Sequence, residues 1–190
     1  MLNLKSELVH ATLVWRETGQ QVVLEPPSEA AASSATGQNK GYHLFLSHKW
    51  EHAQETASAI KAALRALVPS CRVFQDVDEL DDVRKLESAV SNSDVVVVIV
   101  TDKYVRSPNC RRELKEAIRL RKPLVLLVEC DPDKGATSVN LLRAELEMAD
   151  RDGELTRQHE REPVLALIAL LEQVRSPRDL PTRSHHARYP

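Results

Sequence analysis

Short apolar runs alternate with amphipathic stretches between residues 42 and 175, and this alternation is the main structural signal in the chain. Short apolar runs indicate strands. They occur at 42–47, 71–75, 94–100 and 122–128. Apolar residues that recur every third or fourth position indicate one buried face of a helix. On this basis helices are predicted near 53–67, 84–92, 109–121, 138–149 and 162–175.

The segment Val95–Val100 is an unbroken β-branched run. Such a run is typical of a strand that is covered on both faces of a parallel sheet. Because parallel strands need crossover connections, the strand–helix alternation predicts a doubly wound α/β sheet. The working surface of such a sheet lies beyond the carboxyl ends of its strands. We therefore expect functional residues at 47–50, 76–82, 101–109 and 129–134.

Three segments outside the alternating region have a different composition. Residues 1–25 contain two β-like runs around a turn at Gly19, which predicts an N-terminal hairpin-like extension. Residues 26–41 are small and polar, which predicts a flexible linker. Residues 176–190 are expected to form a disordered tail. The main domain is therefore predicted to span 42–175.

Charge and composition exclude several classes of protein. The chain has 190 residues with 26 basic and 28 acidic side chains, and this balance argues against a nucleic-acid binder. No apolar run approaches the ~20 residues that span a bilayer, and the N-terminus does not resemble a secretory signal. Three widely spaced cysteines indicate a reducing compartment, so a cytoplasmic location is predicted. No glycine-rich nucleotide motif, hydrolase elbow or metal-ligand spacing occurs, so no cofactor and no metal site are expected.

Candidate site residues lie at the end of the first strand and on the second predicted helix. Ser47, His48, Lys49 and Trp50 either carry the chain from strand to helix or form the polar wall of a cleft. Glu87 is either an ordinary surface residue or a carboxylate that the helix dipole keeps ionised at the edge of that cleft.

The segment between these two sites, here called the acidic loop, carries five carboxylates in seven residues. It consists of Asp76, Val77, Asp78, Glu79, Leu80, Asp81 and Asp82. Like charges at this density repel one another. The acidic loop is therefore either a solvated connection or a segment that moves over a site or contacts another protein.

Four motifs in this order resemble those of the Toll/interleukin-1 receptor (TIR) domain family. Tyr42–His48 is similar to the first box of that family, and Val73–Leu80 to the strand that enters its BB loop. Leu86–Val98 is similar to its third helix and third strand. Ser107–Leu114 contains the S-x-x-C-x-x-E-L start of its next helix. The resemblance covers about residues 42–130, and these versions look most like TIR-like domains of unicellular algae and oomycetes.

The resemblance implies a flavodoxin-like fold with strand order 2-1-3-4-5. Here four strands in the order 2-1-3-4 are expected, and the one candidate for a fifth is Glu162–Leu165. The resemblance also implies one of two activities: association between TIR domains through the BB loop, or cleavage of NAD at the nicotinamide–ribose bond. In the second case Glu87 is the best match to the catalytic glutamate and Glu79 the fallback. NAD would then be a substrate, bound by residues 47–50.

The chain departs from the family pattern in its BB-like loop and in the following helix. The acidic loop lacks the usual glycine and proline, and Asn109 stands where a tryptophan is common. The stretch from this loop to the third strand is shorter by about one helical turn than in the enzymatic members. A receiver-like domain is disfavoured, because Ser47 and His48 stand where the first strand would need an acidic pair. The interpretation favoured is an interaction module, with an NAD glycohydrolase as the alternative.

Overall fold

The computed structural model describes residues 13–27, 41–75, 86–153 and 158–173. Four strands form one parallel sheet in the order β2-β1-β3-β4. The strands are β1 (Tyr42–His48), β2 (Val73–Phe74), β3 (Ser93–Val100) and β4 (Leu124–Val128). This topology confirms the doubly wound sheet and the predicted strand order.

Within the described ranges, five helices and two short 3₁₀ turns connect or cover these strands. The helices are α1 (Trp50–Leu67), α2 (Leu86–Ser91), α3 (Pro108–Arg119), α4 (Val139–Arg151) and α5 (Gln158–Gln173). The 3₁₀ turns are Tyr104–Arg106 and Pro132–Lys134. The start of α3 is determined by its first residues, because Pro108 occupies the first turn and the Ser107 hydroxyl accepts a hydrogen bond from the Cys110 amide.

The pairing of β1 with β3 forms the centre of the sheet. It runs in parallel register from Tyr42 opposite Ser93 to His48 opposite Ile99. Because side chains alternate between the two faces of a strand, the buried apolar residues divide into two clusters. One cluster lies under α1 and includes Leu46 and Val97. The other lies under α2 to α5, and its buried side chains from the sheet are Phe45, Phe74, Val96, Val98 and Val100.

The candidate fifth strand at Glu162–Leu165 is wrong, because these residues lie within α5, which confirms the helix predicted near 162–175. Val164, Leu167 and Ile168 are buried in the larger cluster. Their spacing of three and four residues places them on one face of a helix. The short apolar run was compatible with either element, and packing against α3 and α4 selects the helix.

The N-terminal segment 13–27 is attached to the amino-terminal side of the sheet. It contains one antiparallel bridge, Val14 with Gln21, and so forms only the minimum of the predicted hairpin. The Leu13 amide donates to the Leu67 carbonyl at 3.0 Å, at the end of α1. Most of the predicted linker (28–40) and the whole predicted tail lie outside the described residues, so these boundaries stay predictions.

His43 fixes this segment to the sheet through both nitrogens of its ring. Nδ1 accepts the backbone N–H of Arg72 at 2.8 Å, so Nε2 is the protonated nitrogen and donates to the Glu25 carbonyl at 2.7 Å. The ring is buried at the start of β1. Nearby, the Leu24 amide donates to the exposed Ser70 hydroxyl at 2.9 Å. In the described part of the chain, no helix has the length and apolar character needed to cross a membrane.

Replacing His43 tests whether this attachment stabilises the domain. His43→Ala leaves the Arg72 amide and the Glu25 carbonyl without their partner, so we expect a loss of about 2 kcal/mol in the free energy of unfolding. Ser70→Ala removes one exposed contact to the same segment and should cost less than about 1 kcal/mol. Urea unfolding measures both variants. Equal losses would show that the His43 ring does not hold the segment.

Candidate functional site

Ser47, at the carboxyl end of β1, lies in a buried network of hydrogen bonds. Its hydroxyl donates to Oε2 of Glu113 on α3 at 2.5 Å. The Tyr104 hydroxyl lies 2.6 Å from Oγ of Ser47. Because the single proton of the serine points to Glu113, the tyrosine is the donor in this second bond. The network joins β1, the first 3₁₀ turn and α3.

All three members of this network are almost completely buried. Burial raises the pKa of Tyr104 well above its ordinary value, and the charges of Cys110 and Glu113 act in the same direction. The hydrogen bond with Ser47 acts in the opposite direction. Tyr104 therefore stays neutral throughout the physiological range. Unpaired polar groups are costly in such surroundings, so this network holds the end of β1 in place.

The next two residues of the predicted cleft wall also make internal contacts. His48 is buried, and its Nδ1 donates to the Leu46 carbonyl at 3.1 Å while its Nε2 lies 2.7 Å from Oε1 of Gln54. The Lys49 ammonium is hydrogen-bonded to the carboxylate of Glu51, and this contact lowers the pKa of Glu51. Only Trp50, which begins α1, is largely exposed.

An open cavity of about 400 Å³ lies beside Trp50. Acidic side chains outnumber basic ones around it. The lining residues are Trp50, Glu51, His52, Gln54, Glu55, Thr56, Asp133 and Lys134. The excess of carboxylates makes this cavity unfavourable for the phosphates of a nucleotide.

A histidine–carboxylate pair at the same end of the sheet was not predicted. Nε2 of His52 lies 3.2 Å from Oδ1 of Asp102, which follows β3. Gly135 packs directly on this pair with a φ of +77°, and an added Cβ would lie 2.7 Å from Oδ1. Only glycine fits both conditions. No sequence pattern indicates the pair, because its members are 50 positions apart on different elements.

Glu87 is committed to an ion pair with Arg112 of α3. Its two carboxylate oxygens accept from Nε and Nη2 of Arg112, both at 2.8 Å. Burial tends to raise the pKa of this carboxyl, but the hydrogen bonds and the charge of Arg112 outweigh it, so the pKa lies below its ordinary value. Both side chains are 39% exposed.

The structure does not bring Glu87 into the hydrogen-bond network of Ser47. Glu87 lies about 6 Å along the helix axis from the carboxyl end of α2. That end of α2 is close to the start of β3. Ser47 lies about 16 Å along β1 from Tyr42, the residue opposite the first residue of β3. Glu87 is therefore well below the carboxyl edge of the sheet. Glu79 and the rest of the acidic loop (Asp76–Asp82) lie outside the described residues.

A family model described as TIR domain matches residues 44–168. Among solved structures, the chain is similar to the TIR domains of the activated Roq1 resistosome directly recognizing the pathogen effector XopQ. The identity is 20% and the TM-score 0.54, over 68% of this chain and 84% of that chain. It also matches the TIR domain of the Toll-related receptor TRR-2 from Hydra magnipapillata, with 14% identity and a TM-score of 0.40 over 47% and 74% of the two chains. No curated protein matches significantly.

Removing the Ser47 hydroxyl tests the buried network. Ser47→Ala leaves Tyr104 and the Glu113 carboxylate without their shared partner, so the free energy of unfolding should fall by about 2–3 kcal/mol. Ser138→Ala is the control, because that exposed hydroxyl accepts a single amide, from Leu141. Its loss should stay below about 1 kcal/mol. Denaturant unfolding compares the two, and a similar loss in both would contradict the importance of the network.

The Glu87–Arg112 pair predicts a small, pH-dependent contribution to stability. Because the pKa of Glu87 is lower in the folded state, the contribution is present above the ordinary carboxyl pKa and is lost as the pH falls through the folded value. Solvent screens the half-exposed pair, so Glu87→Gln should cost less than about 1 kcal/mol at pH 7. The difference between wild type and variant should shrink towards pH 3. A difference independent of pH would show that the charge of Glu87 does not contribute.

Proposed function

Because the chain belongs to the TIR domain family, we propose that it is a signalling module that acts by associating with itself or with another TIR domain. The family model covers the whole sheet except the first two residues of β1. The Roq1 structure, which shares the fold, contains TIR domains within a resistosome. If several copies of this chain assemble, the surface of the same fold would provide the contacts between them.

One observation carries the choice of an interaction module over an enzyme. The groups that hydrolysis of NAD would draw on are already committed to contacts within the chain. Ser47 is buried against Glu113, and the Lys49 ammonium is hydrogen-bonded to Glu51. The carboxylate of Glu87 is occupied by Arg112. A substrate would have to break these contacts before Ser47, Lys49 or Glu87 could act on it, which favours a scaffold over a reaction site.

The acidic loop is proposed as part of the association surface. Its five carboxylates fit a partner surface rich in lysine and arginine. Complementary charges steer association and choose between partners more than they add affinity. Contacts of this kind weaken as salt screens them. This assignment rests on the sequence and on the family resemblance.

The alternative function is an NAD glycohydrolase, and the volume and exposed aromatic ring of the cavity beside Trp50 favour it, whereas the carboxylates there oppose a pyrophosphate. A volume of about 400 Å³ falls within the usual range for sites that bind small molecules. The exposed Trp50 ring offers a surface on which a planar base can stack. In this alternative Ser47, His48, Lys49 and Trp50 bind NAD, and Glu87 is the catalytic residue with Glu79 as the fallback. Glu87 would have to leave Arg112 to reach the ribose.

The proposal also includes the domain boundaries, the class of partner and the location of the protein. The TIR-like domain spans 42–175, preceded by the extension (1–25) and the linker (26–41) and followed by the tail (176–190). The near-neutral charge favours a protein partner over nucleic acid, and the chemistry of the three cysteines favours the cytoplasm over an oxidising compartment or a membrane. The likeness to TIR-like domains of unicellular algae and oomycetes stays a prediction from the motifs.

Light scattering across a concentration series tests self-association. The expected result is a weight-average mass that rises above the 21.3 kDa of the single chain as concentration increases. Raising the salt concentration should reduce the mass at a given protein concentration, because charged contacts are screened. A single mass at every concentration, together with failure to capture any TIR domain as partner, would overturn the proposal.

Release of nicotinamide from NAD decides the enzymatic alternative. The assay compares wild type with Glu87→Ala at a concentration where the chain self-associates. Glu116→Ala is the matched control, because Glu116 also makes a two-bond ion pair, with Arg119. We expect no release from any of the three. Release that Glu87→Ala abolishes and Glu116→Ala retains would establish the enzyme instead.

A further inference from the structure

The outer edge of β4 is open. Among the described residues, β4 pairs with β3 and with no other strand. The segment that was expected to supply the next strand forms α5 instead. An open edge strand presents unpaired backbone groups that can pair with another chain. Natural proteins usually protect such edges with charge or with a covering element.

The backbone groups that point outwards belong to Leu124, Leu126 and Val128. At one end of the β3–β4 ladder, the backbone amide of Val96 donates to the Pro123 carbonyl at 3.0 Å. At the other end, the backbone amide of Glu129 donates to the Val100 carbonyl, also at 3.0 Å. Alternation along a strand then directs the odd-numbered residues of β4 towards β3 and the even-numbered residues away from it. The proline therefore falls in the set that faces β3, and the outward row keeps its N–H groups.

The side chains beside this edge are apolar on the face that α1 leaves uncovered. Val125 is 45% and Leu127 is 38% exposed, although both lie within the strand. Neither residue belongs to the cluster under α1. Nothing in the strand itself carries a charge, since Leu124–Val128 consists only of leucine and valine. Within the part of the chain that the structure describes, the edge therefore lacks the usual protection against pairing.

Opposite charges flank the two ends of β4. The exposed Arg121 precedes it, and Glu129 and Asp131 follow it. Arg121 and Asp131 lie just outside the strand, and an antiparallel pairing of two copies about Leu126 would bring the end of β4 near Arg121 in each chain to the end near Asp131 in the other. The same register would place Val125 opposite Leu127 of the other copy, on one continuous apolar face. A parallel pairing would bring like charges together, so the charge pattern selects the antiparallel arrangement.

We propose that β4 is the surface through which two copies of this chain associate, by antiparallel pairing about Leu126 that extends the sheet across a two-fold axis. The proposal rests on the proposed function and names the surface and the partner for it. A two-fold interface of this kind is self-complementary, so one strand supplies both halves of the contact. The outward amides and carbonyls of Leu124, Leu126 and Val128 then form the new ladder, and the Cys130 thiol, a weak donor to the Val128 carbonyl, is displaced.

A lysine placed on the exposed face of β4 tests the surface. In the full chain, Val125→Lys puts two ammonium groups into the apolar centre of the interface, and the dissociation constant of the dimer should rise about tenfold or more. Leu141→Lys is the matched control, since Leu141 is a similarly exposed apolar residue on α4. It should leave the constant unchanged. Self-association that is equally strong in Val125→Lys and wild type would overturn this proposal while leaving the proposed function intact.

Disulfide trapping tests the register independently of stability. Val125→Cys and Leu127→Cys are made separately, each with Cys130→Ser to remove the exposed native thiol. Non-hydrogen-bonded partners across an antiparallel ladder have Cα atoms about 4.5 Å apart, within reach of a disulfide. Residues offset by two positions lie about 7–8 Å apart, which is too far. The mixture of the two variants should therefore cross-link several times faster than either variant alone.

The outcomes separate the two proposals. Equal cross-linking rates in the mixture and in the single variants would overturn the antiparallel register about Leu126. A chain that stays monomeric at every concentration would overturn both the association and its surface. Rapid cross-linking in the mixture only, together with weakened association of Val125→Lys, would establish β4 as the interface.

Discussion

The hydrogen bond from Ser47 to Glu113 determines how the two halves of this domain fit together. A carboxylate can be buried only where other groups satisfy it. Here the hydroxyl at the end of β1 serves the carboxylate of α3, and Tyr104 satisfies the hydroxyl in turn. The two TIR motifs that contain Ser47 and Glu113 are 66 positions apart, yet this bond joins them directly. In this chain the two motifs therefore stabilise each other's position in the fold.

Most of the fold could be predicted from local patterns. The β-branched run Val95–Val100 indicated a central parallel strand, and it pairs with both β1 and β4. The segment Glu162–Leu165 lies in the helix predicted near 162–175, and not in the fifth strand for which the family's strand order made it a candidate. Its apolar residues suited a short strand, but Val164 and Leu167 pack on one side of α5. Tertiary packing decides between the two readings, because a short apolar run carries too little periodicity to do so.

The candidate site was predictable in its residues but much less in its contacts. Ser47 does lie at the carboxyl end of a central strand, as the alternation implied. Its burial against Tyr104 depends on a 3₁₀ turn that has no clear signature in the sequence. Glu87 was placed beside a cleft by helical phase alone. Its pairing with Arg112 depends on how α2 packs against α3, and no periodicity within either helix encodes that distance.

Among the described residues, polar groups at the carboxyl end of β1 are satisfied by internal hydrogen bonds, whereas the outer edge of β4 has no paired strand. In a doubly wound sheet, ligands normally meet the carboxyl ends of the strands. Here hydrogen bonds within the chain use up the polar groups of Ser47 and His48 at that place. The unpaired backbone groups are found instead along β4, beside exposed Val125 and Leu127. A surface made of backbone donors, acceptors and apolar side chains can recognise another strand, whereas it offers no group for acid–base chemistry. Among the described residues, this distribution of free groups favours association through β4.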